Sequence, residues 1–94
     1  MGASDIATID DGIEWARGLD DSTTSTELST GIQAIGHLVP EQDIWFDDSN
    51  DIGGDLISLN ADVLANPDDA GSMVDDLNDI IDDLEAFISK GNRP

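Results

Sequence analysis

The sequence predicts an all-α protein built as a small antiparallel four-helix bundle, or as three helices plus one. Apolar residues recur every three to four positions in four separate segments of the 94-residue chain, as they do along the buried face of a helix. No segment alternates apolar and polar residues over any length, as a half-buried strand does. The connections between the segments are short, which favours antiparallel neighbours within a single domain spanning residues 1–94.

The first two segments carry helix start and stop signals. The first is expected over residues 5–17, with Ser4 as the N-cap and Gly18 just past the last turn. The second begins at residues 24–27 (TSTE), which fit a capping box in which the first hydroxyl and the fourth carboxylate each accept from a backbone amide. It ends before Pro40, because proline disfavours helical geometry at the preceding residue. The apolar stripes of these two segments are Ile6, Ile9, Ile13 and Ala16, and then Leu28, Ile32, Ile35 and Val39.

The third and fourth segments meet at Asn66 and Pro67. In the fourth segment Asn66 is the expected N-cap, Pro67 suits the first helical position, and the following aspartates suit the positive helix end. Lys90 and Gly91 are its stop signals. The apolar stripes are Ile52, Leu56, Leu59 and Val63, flanked by Ile57 and Leu64, and then Met73, Leu77, Ile80, Leu84 and Phe87. The opposite face of the fourth segment, interpreted as a solvated surface, carries Asp75, Asp76, Asp79, Asp82, Asp83 and Glu85.

The charge of the chain restricts its environment. It has 22 acidic residues and three basic ones, for a net charge of −19. Such a charge usually favours disorder, but a 38% apolar content with clear periodicity argues for a fold. In about 1 M salt the Debye length is roughly 3 Å, so carboxylates repel only near neighbours. With its excess of aspartate, single lysine and few aromatic residues, the composition resembles that of proteins from haloarchaea and their viruses. This resemblance implies a location in the cytoplasm of a high-salt cell or within a virion.

One aspartate-rich stretch, residues 47–58 (DDSNDIGGDLIS), is similar to a calcium-binding loop. An EF-hand loop starting at Asp47 would place Ile52 at the sixth position, which requires glycine, and Ser58 at the twelfth, which requires glutamate. A start one residue later restores the glycine but leaves a leucine at the twelfth position. We therefore interpret the stretch as a polar turn that leads into the third helix, and we predict no metal or cofactor.

The sequence also argues against catalysis, nucleic-acid binding and membrane insertion. The chain has no cysteine, a single histidine at His37, no GxSxG motif and no phosphate-binding glycine loop. Three basic residues are too few to neutralise a phosphate backbone. No apolar run approaches the roughly 20 residues of a membrane span. We expect no catalytic residue, no small-molecule substrate and no direct contact with nucleic acid.

The aromatic residues give the candidate interaction site. Trp15 lies beside the first apolar stripe, and Ile44, Trp45 and Phe46 are adjacent in the connection after the second segment. In one interpretation this connection folds back and closes the open end of the bundle. In the other, these four residues stay partly exposed as a protein interface, because aromatic side chains carry much of the energy at interfaces.

Two functions are consistent with these observations. The first is a non-enzymatic structural or adaptor subunit of a larger assembly in a halophile, such as a haloarchaeal tailed-virus particle. The alternative is an acidic antagonist of a basic protein, acting as an antitoxin-like binder or as a DNA mimic. Both functions require a protein partner or self-association.

Overall fold

The computed structural model describes residues 2–38 and 51–89, and these residues form a small helical bundle. Short 3₁₀ helices precede the first and last α-helices, at Ala3–Asp5 and Pro67–Met73. No strand occurs in the two described ranges, so the predicted all-α fold is confirmed. The α-helices are α1 (Ile9–Arg17), α2 (Ser25–Leu38), α3 (Asp51–Ala65) and α4 (Val74–Ser89).

The core is formed by the predicted apolar stripes. Helix α2 packs most extensively against α3, while α1 contacts both α2 and α4, and α4 contacts α3. The fully buried large side chains come from α2, α3 and α4, and the stripe residues Ile6, Ile13 and Met73 are partly buried against them. Val39 lies outside the described residues. The largest fully buried side chains are Leu28, Ile32, Ile35, Leu56, Leu77, Ile81, Leu84 and Val63.

Helix α1 begins four residues later than the sequence predicted. Its N-cap is Thr8 rather than Ser4: the Thr8 hydroxyl accepts from the Asp11 amide at 3.1 Å, and the Asp11 carboxylate accepts from the Thr8 amide at 3.2 Å. This reciprocal pair satisfies two backbone groups at once, whereas Ser4 lies within the preceding 3₁₀ turn. Gly18 follows the helix as predicted and donates to the Trp15 carbonyl at 3.1 Å.

The predicted fourth helix is divided into a 3₁₀ helix and α4. The Asn66 side chain does not cap the following helix. Its side-chain amide, Nδ2, instead donates to the Asp62 carbonyl at 3.1 Å. Gly71 lies against the backbone of Asp21, so closely that a Cβ there would be 2.1 Å from the Asp21 carbonyl oxygen. The 3₁₀ winding of residues 67–73 coincides with this contact. It also coincides with Ser72, whose hydroxyl donates to the Asp69 carbonyl and so competes with the α-helical hydrogen-bond pattern. Lys90 and Gly91 lie outside the described residues.

Two further predictions concern α3 and the membrane. Helix α3 begins at Asp51 and ends at Ala65, which confirms a helix start within the aspartate-rich stretch and a helix end before Asn66-Pro67. Residues 47–50 lie outside the described ranges. Among the helices that the structure describes, none is long and apolar enough to cross a membrane.

Candidate functional site

Trp15, one of the predicted interface residues, is part of the core. Its side chain is 2% exposed, and the six-membered ring lies against Gly31 of α2, where a Cβ would be 2.1 Å from Cη2. The indole Nε1 donates to the Glu27 carboxylate at 2.9 Å. Trp15 therefore presents no exposed ring for a partner. The other three predicted interface residues, Ile44, Trp45 and Phe46, lie outside the described residues.

Glu27 joins three segments of the chain rather than closing its own capping box. The predicted half of the box that uses Thr24 is present, because the Glu27 amide donates to the Thr24 hydroxyl at 3.2 Å. The Glu27 carboxylate, however, accepts from the Ala3 amide at 2.8 Å and from the Trp15 indole at 2.9 Å. A buried indole N–H needs an acceptor, and this requirement accounts for the carboxylate turning away from its own helix end. The contact fixes the N-terminal segment and α1 on α2.

Arg17 links the end of α1 to the acidic helix α4. Its guanidinium donates to the Asn78 side-chain oxygen at 2.7 Å and forms ion pairs with Asp82 and Glu85. The hydrogen bond to Asp82, followed by that to Glu85, raises the pKa of the Arg17 guanidinium above its ordinary value. The remaining lysine and arginine, Lys90 and Arg93, lie outside the described ranges. These contacts tie two helices together, which is a structural role.

The polar side chains of the described residues form no metal-binding cluster and leave no buried polar atom unpaired. No group of three or more histidine, aspartate or glutamate side chains among them is arranged to hold a metal ion. Every buried side-chain nitrogen or oxygen atom in the described ranges has a hydrogen-bond partner. The aspartates on the outer face of α4 are exposed, in agreement with a solvated surface.

Two large apolar side chains are exposed on α3. Ile57 is 70% exposed and Leu64 is 60% exposed, and every other large hydrophobic side chain in the described ranges is buried or partly buried. They are seven residues apart, so two helical turns place them on the same face. The sequence predicted that both residues flank the apolar stripe of α3. In the structure, that flank is exposed to solvent.

The carboxylates of α3 lie on a different side of the helix. At about 100° per residue, Asp55 and Asp62 are at least roughly 140° around the axis from both Ile57 and Leu64. Asp55 and Asp62 are exposed. The exposed apolar side of α3 is therefore free of acidic residues, although the chain carries 22 of them.

Among the residues that the structure describes, the neighbouring surface of α2 is also free of carboxylates. Glu27 is the one acidic residue in α2, and it is bound to Trp15 and Ala3. The two helices adjoin at a polar seam, where the Ser29 hydroxyl donates to the Asn60 side chain at 2.7 Å and accepts from Gln33 at 3.0 Å. We call the combined surface the acid-free face. Its exposed residues are Thr26, Thr30, Gln33, Gly36 and His37 of α2, and Ile57, Ala61 and Leu64 of α3.

Comparisons with known proteins neither add to this site nor alter it. The chain matches no protein family, no curated protein and no solved structure.

Proposed function

We propose that this chain is a non-enzymatic structural or adaptor subunit of a larger assembly that forms in concentrated salt. A tailed-virus particle of a haloarchaeon is such an assembly, and a cellular complex of a halophile is another. The observation that carries the proposal is the acid-free face, on which Ile57 and Leu64 are exposed. The setting in concentrated salt is supported by the net charge of −19.

The location of the exposed apolar residues supports a contact surface. Single exposed hydrophobic residues are ordinary on a protein surface. Here two of them share one helical face, and none of the described carboxylates that occupy the other exposed surfaces lies on it. Carboxylates at the centre of an interface cost free energy when they lose water, so their absence favours burial against a partner. The depletion of charge at interface cores is general.

The second candidate function, an acidic antagonist of a basic protein, is favoured by a different surface. The outer face of α4 exposes Asp75, Asp76, Asp79 and Asp83 at helical spacing. Such a row of carboxylates attracts basic residues over long range at low salt. In molar salt this attraction is screened, so the antagonist would act poorly in the environment that the composition indicates.

Two matched double variants separate the two functions. Ile57→Gln with Leu64→Gln changes two exposed residues on α3, and Asp76→Asn with Asp83→Asn changes two exposed residues of the same spacing on α4. Each variant is purified in molar KCl from its native host, and its native mass and co-purifying proteins are compared with those of the wild type.

For an assembly subunit, the α3 variant loses the complex and the α4 variant keeps it. The opposite result supports the antagonist. Wild-type protein that remains monomeric and brings down no stoichiometric partner in molar KCl contradicts the assembly function. Circular dichroism of each variant confirms that the fold is retained.

A further inference from the structure

We propose that the partner bound by the acid-free face is a second copy of this chain, in a two-fold symmetric dimer formed by antiparallel α3 helices. This inference rests on the proposed assembly function and names its partner. In the dimer, Ile57 of each copy packs against Leu64 of the other, and the two-fold axis passes beside Asn60 and Ala61.

The distribution of charge favours a second copy over a basic partner. A basic protein would be attracted to the exposed carboxylates of α4 and the Pro67–Met73 segment, and it would gain little at a face that has none. A partner that is itself strongly acidic has the opposite requirement. It must bind where carboxylates do not meet, and this chain, with a net charge of −19, is such a partner. Its acid-free face is the surface on which two copies approach with the least repulsion.

The geometry of α3 is compatible with a two-fold axis. In a two-fold dimer the same surface patch is used on both copies, so each contact occurs twice. Ile57 and Leu64 are placed symmetrically about the midpoint between Asn60 and Ala61. An antiparallel pair of α3 helices centred on this midpoint therefore brings Ile57 of one copy against Leu64 of the other. Ala61, which is exposed, has a small side chain at this midpoint and allows the helices to approach closely. Asp55 and Asp62 lie around the helix from the contact and remain in water.

The size of the face determines how the dimer should respond to salt. Two large apolar side chains from each copy make a small contact, so the overall repulsion between two acidic copies weighs heavily against it. Raising KCl from about 0.1 M to about 1 M shortens the screening length from roughly 10 Å to roughly 3 Å, which removes most of that repulsion. We expect the dimer dissociation constant to fall at least tenfold over this range.

Site-specific cross-linking tests the predicted symmetry. The chain has no cysteine, so each single-cysteine variant forms disulfides only through the introduced residue. Ala61→Cys places the thiol beside the predicted axis, where two copies of the same residue meet. Ala86→Cys on α4 is the matched control, because Ala86 is also an exposed alanine in a helix. Both variants are exposed to a mild oxidant in molar KCl, and the covalent dimer is quantified on a non-reducing gel.

The proposal predicts rapid covalent dimer formation by Ala61→Cys and at least tenfold slower formation by Ala86→Cys. Sedimentation equilibrium of the wild type and of Leu64→Gln provides a second measurement. Leu64→Gln removes both of the symmetry-related contacts between Ile57 and Leu64. We therefore expect at least a tenfold rise in the dimer dissociation constant. Equal cross-linking of the two cysteine variants, or a dimer unaffected by Leu64→Gln, overturns the proposed dimer. A wild-type monomer that binds a different protein through Ile57 and Leu64 also overturns it, but leaves the assembly function standing.

Discussion

Gly31 is the residue at which a single added methyl group should do most damage. The Trp15 ring occupies the space where the side chain of Gly31 would be, with 2.1 Å between the position of a Cβ and Cη2. An ordinary carbon–carbon contact is about 3.5 Å, so Gly31→Ala requires the ring to retreat by roughly 1.4 Å. Trp15 is 2% exposed, so its neighbours in the core must shift as well. Overpacking of this kind typically costs about 1–3 kcal/mol.

The displacement also affects the hydrogen bond between Trp15 and Glu27. That bond is 2.9 Å long, and a retreat of the ring stretches it. A hydrogen bond to a charged group contributes about 1.5–3 kcal/mol. Replacing glycine by alanine inside a helix stabilises the folded state by about 1 kcal/mol, which offsets part of this loss. The net loss of unfolding free energy for Gly31→Ala is therefore about 3 kcal/mol, a large fraction of the 5–15 kcal/mol typical of a domain.

Gly36 provides the matched control in the same helix. No atom lies within 4 Å of a Cβ built at Gly36, so Gly36→Ala should stabilise the protein by up to about 1 kcal/mol. Urea unfolding in molar KCl, followed by circular dichroism, measures both variants. With an m value of about 1 kcal/mol per molar urea, the Gly31→Ala midpoint should fall by about 3 M. If Gly31→Ala were as stable as Gly36→Ala, the packing of Trp15 on α2 described here would be wrong.

Three further predictions concern a cap, an ion pair and salt. Thr8→Ala removes the N-cap hydroxyl of α1 and should lower the unfolding free energy by about 1 kcal/mol. An unchanged urea midpoint would argue against Thr8 as the N-cap and in favour of Ser4, which the sequence predicted. Arg17→Gln removes the ion pairs with Asp82 and Glu85, and should cost at most about 1 kcal/mol at low salt because these groups are exposed. That cost should shrink between about 0.1 M and 1 M KCl, and a cost that grows with salt would refute its electrostatic origin. The far-UV circular dichroism of the wild type should show loss of helix as KCl is lowered below about 0.1 M, and a spectrum independent of KCl would contradict the adaptation to concentrated salt.

The sequence was a good guide to the helices because their stripes are set by local periodicity. The buried residues of α3 and α4 are those that recur at three- and four-residue spacing, such as Leu56, Leu77 and Leu84. The start of α1 was less certain, since Ser4 and Thr8 are both good N-caps. The acidic residue three positions after Thr8 is the signal that favours Thr8, because it completes a reciprocal cap.

Other features depend on contacts between distant residues and leave little trace in the sequence. The 3₁₀ winding before α4 accompanies the contact of Gly71 with Asp21, and the direction of the Glu27 side chain is set by Trp15, twelve residues earlier. The exposure of Ile57 and Leu64 depends on which flank of α3 is covered by α2. The periodicity of α3 predicted the position of its apolar stripe. The pattern could not show which edge of that stripe would stay in contact with water.

The salt dependence of self-association tests the central claim most directly, because an apolar contact between two acidic copies and an electrostatic contact between opposite charges predict opposite signs. Sedimentation equilibrium of the wild-type chain, at KCl concentrations from about 0.1 M to above 1 M, gives the association constant at each salt concentration. Contact through the acid-free face predicts association that strengthens as salt rises, since screening removes repulsion and salt favours apolar burial. The Ile57→Gln, Leu64→Gln variant should remain monomeric throughout. Association that weakens as salt rises, or that persists in this variant, would contradict the account.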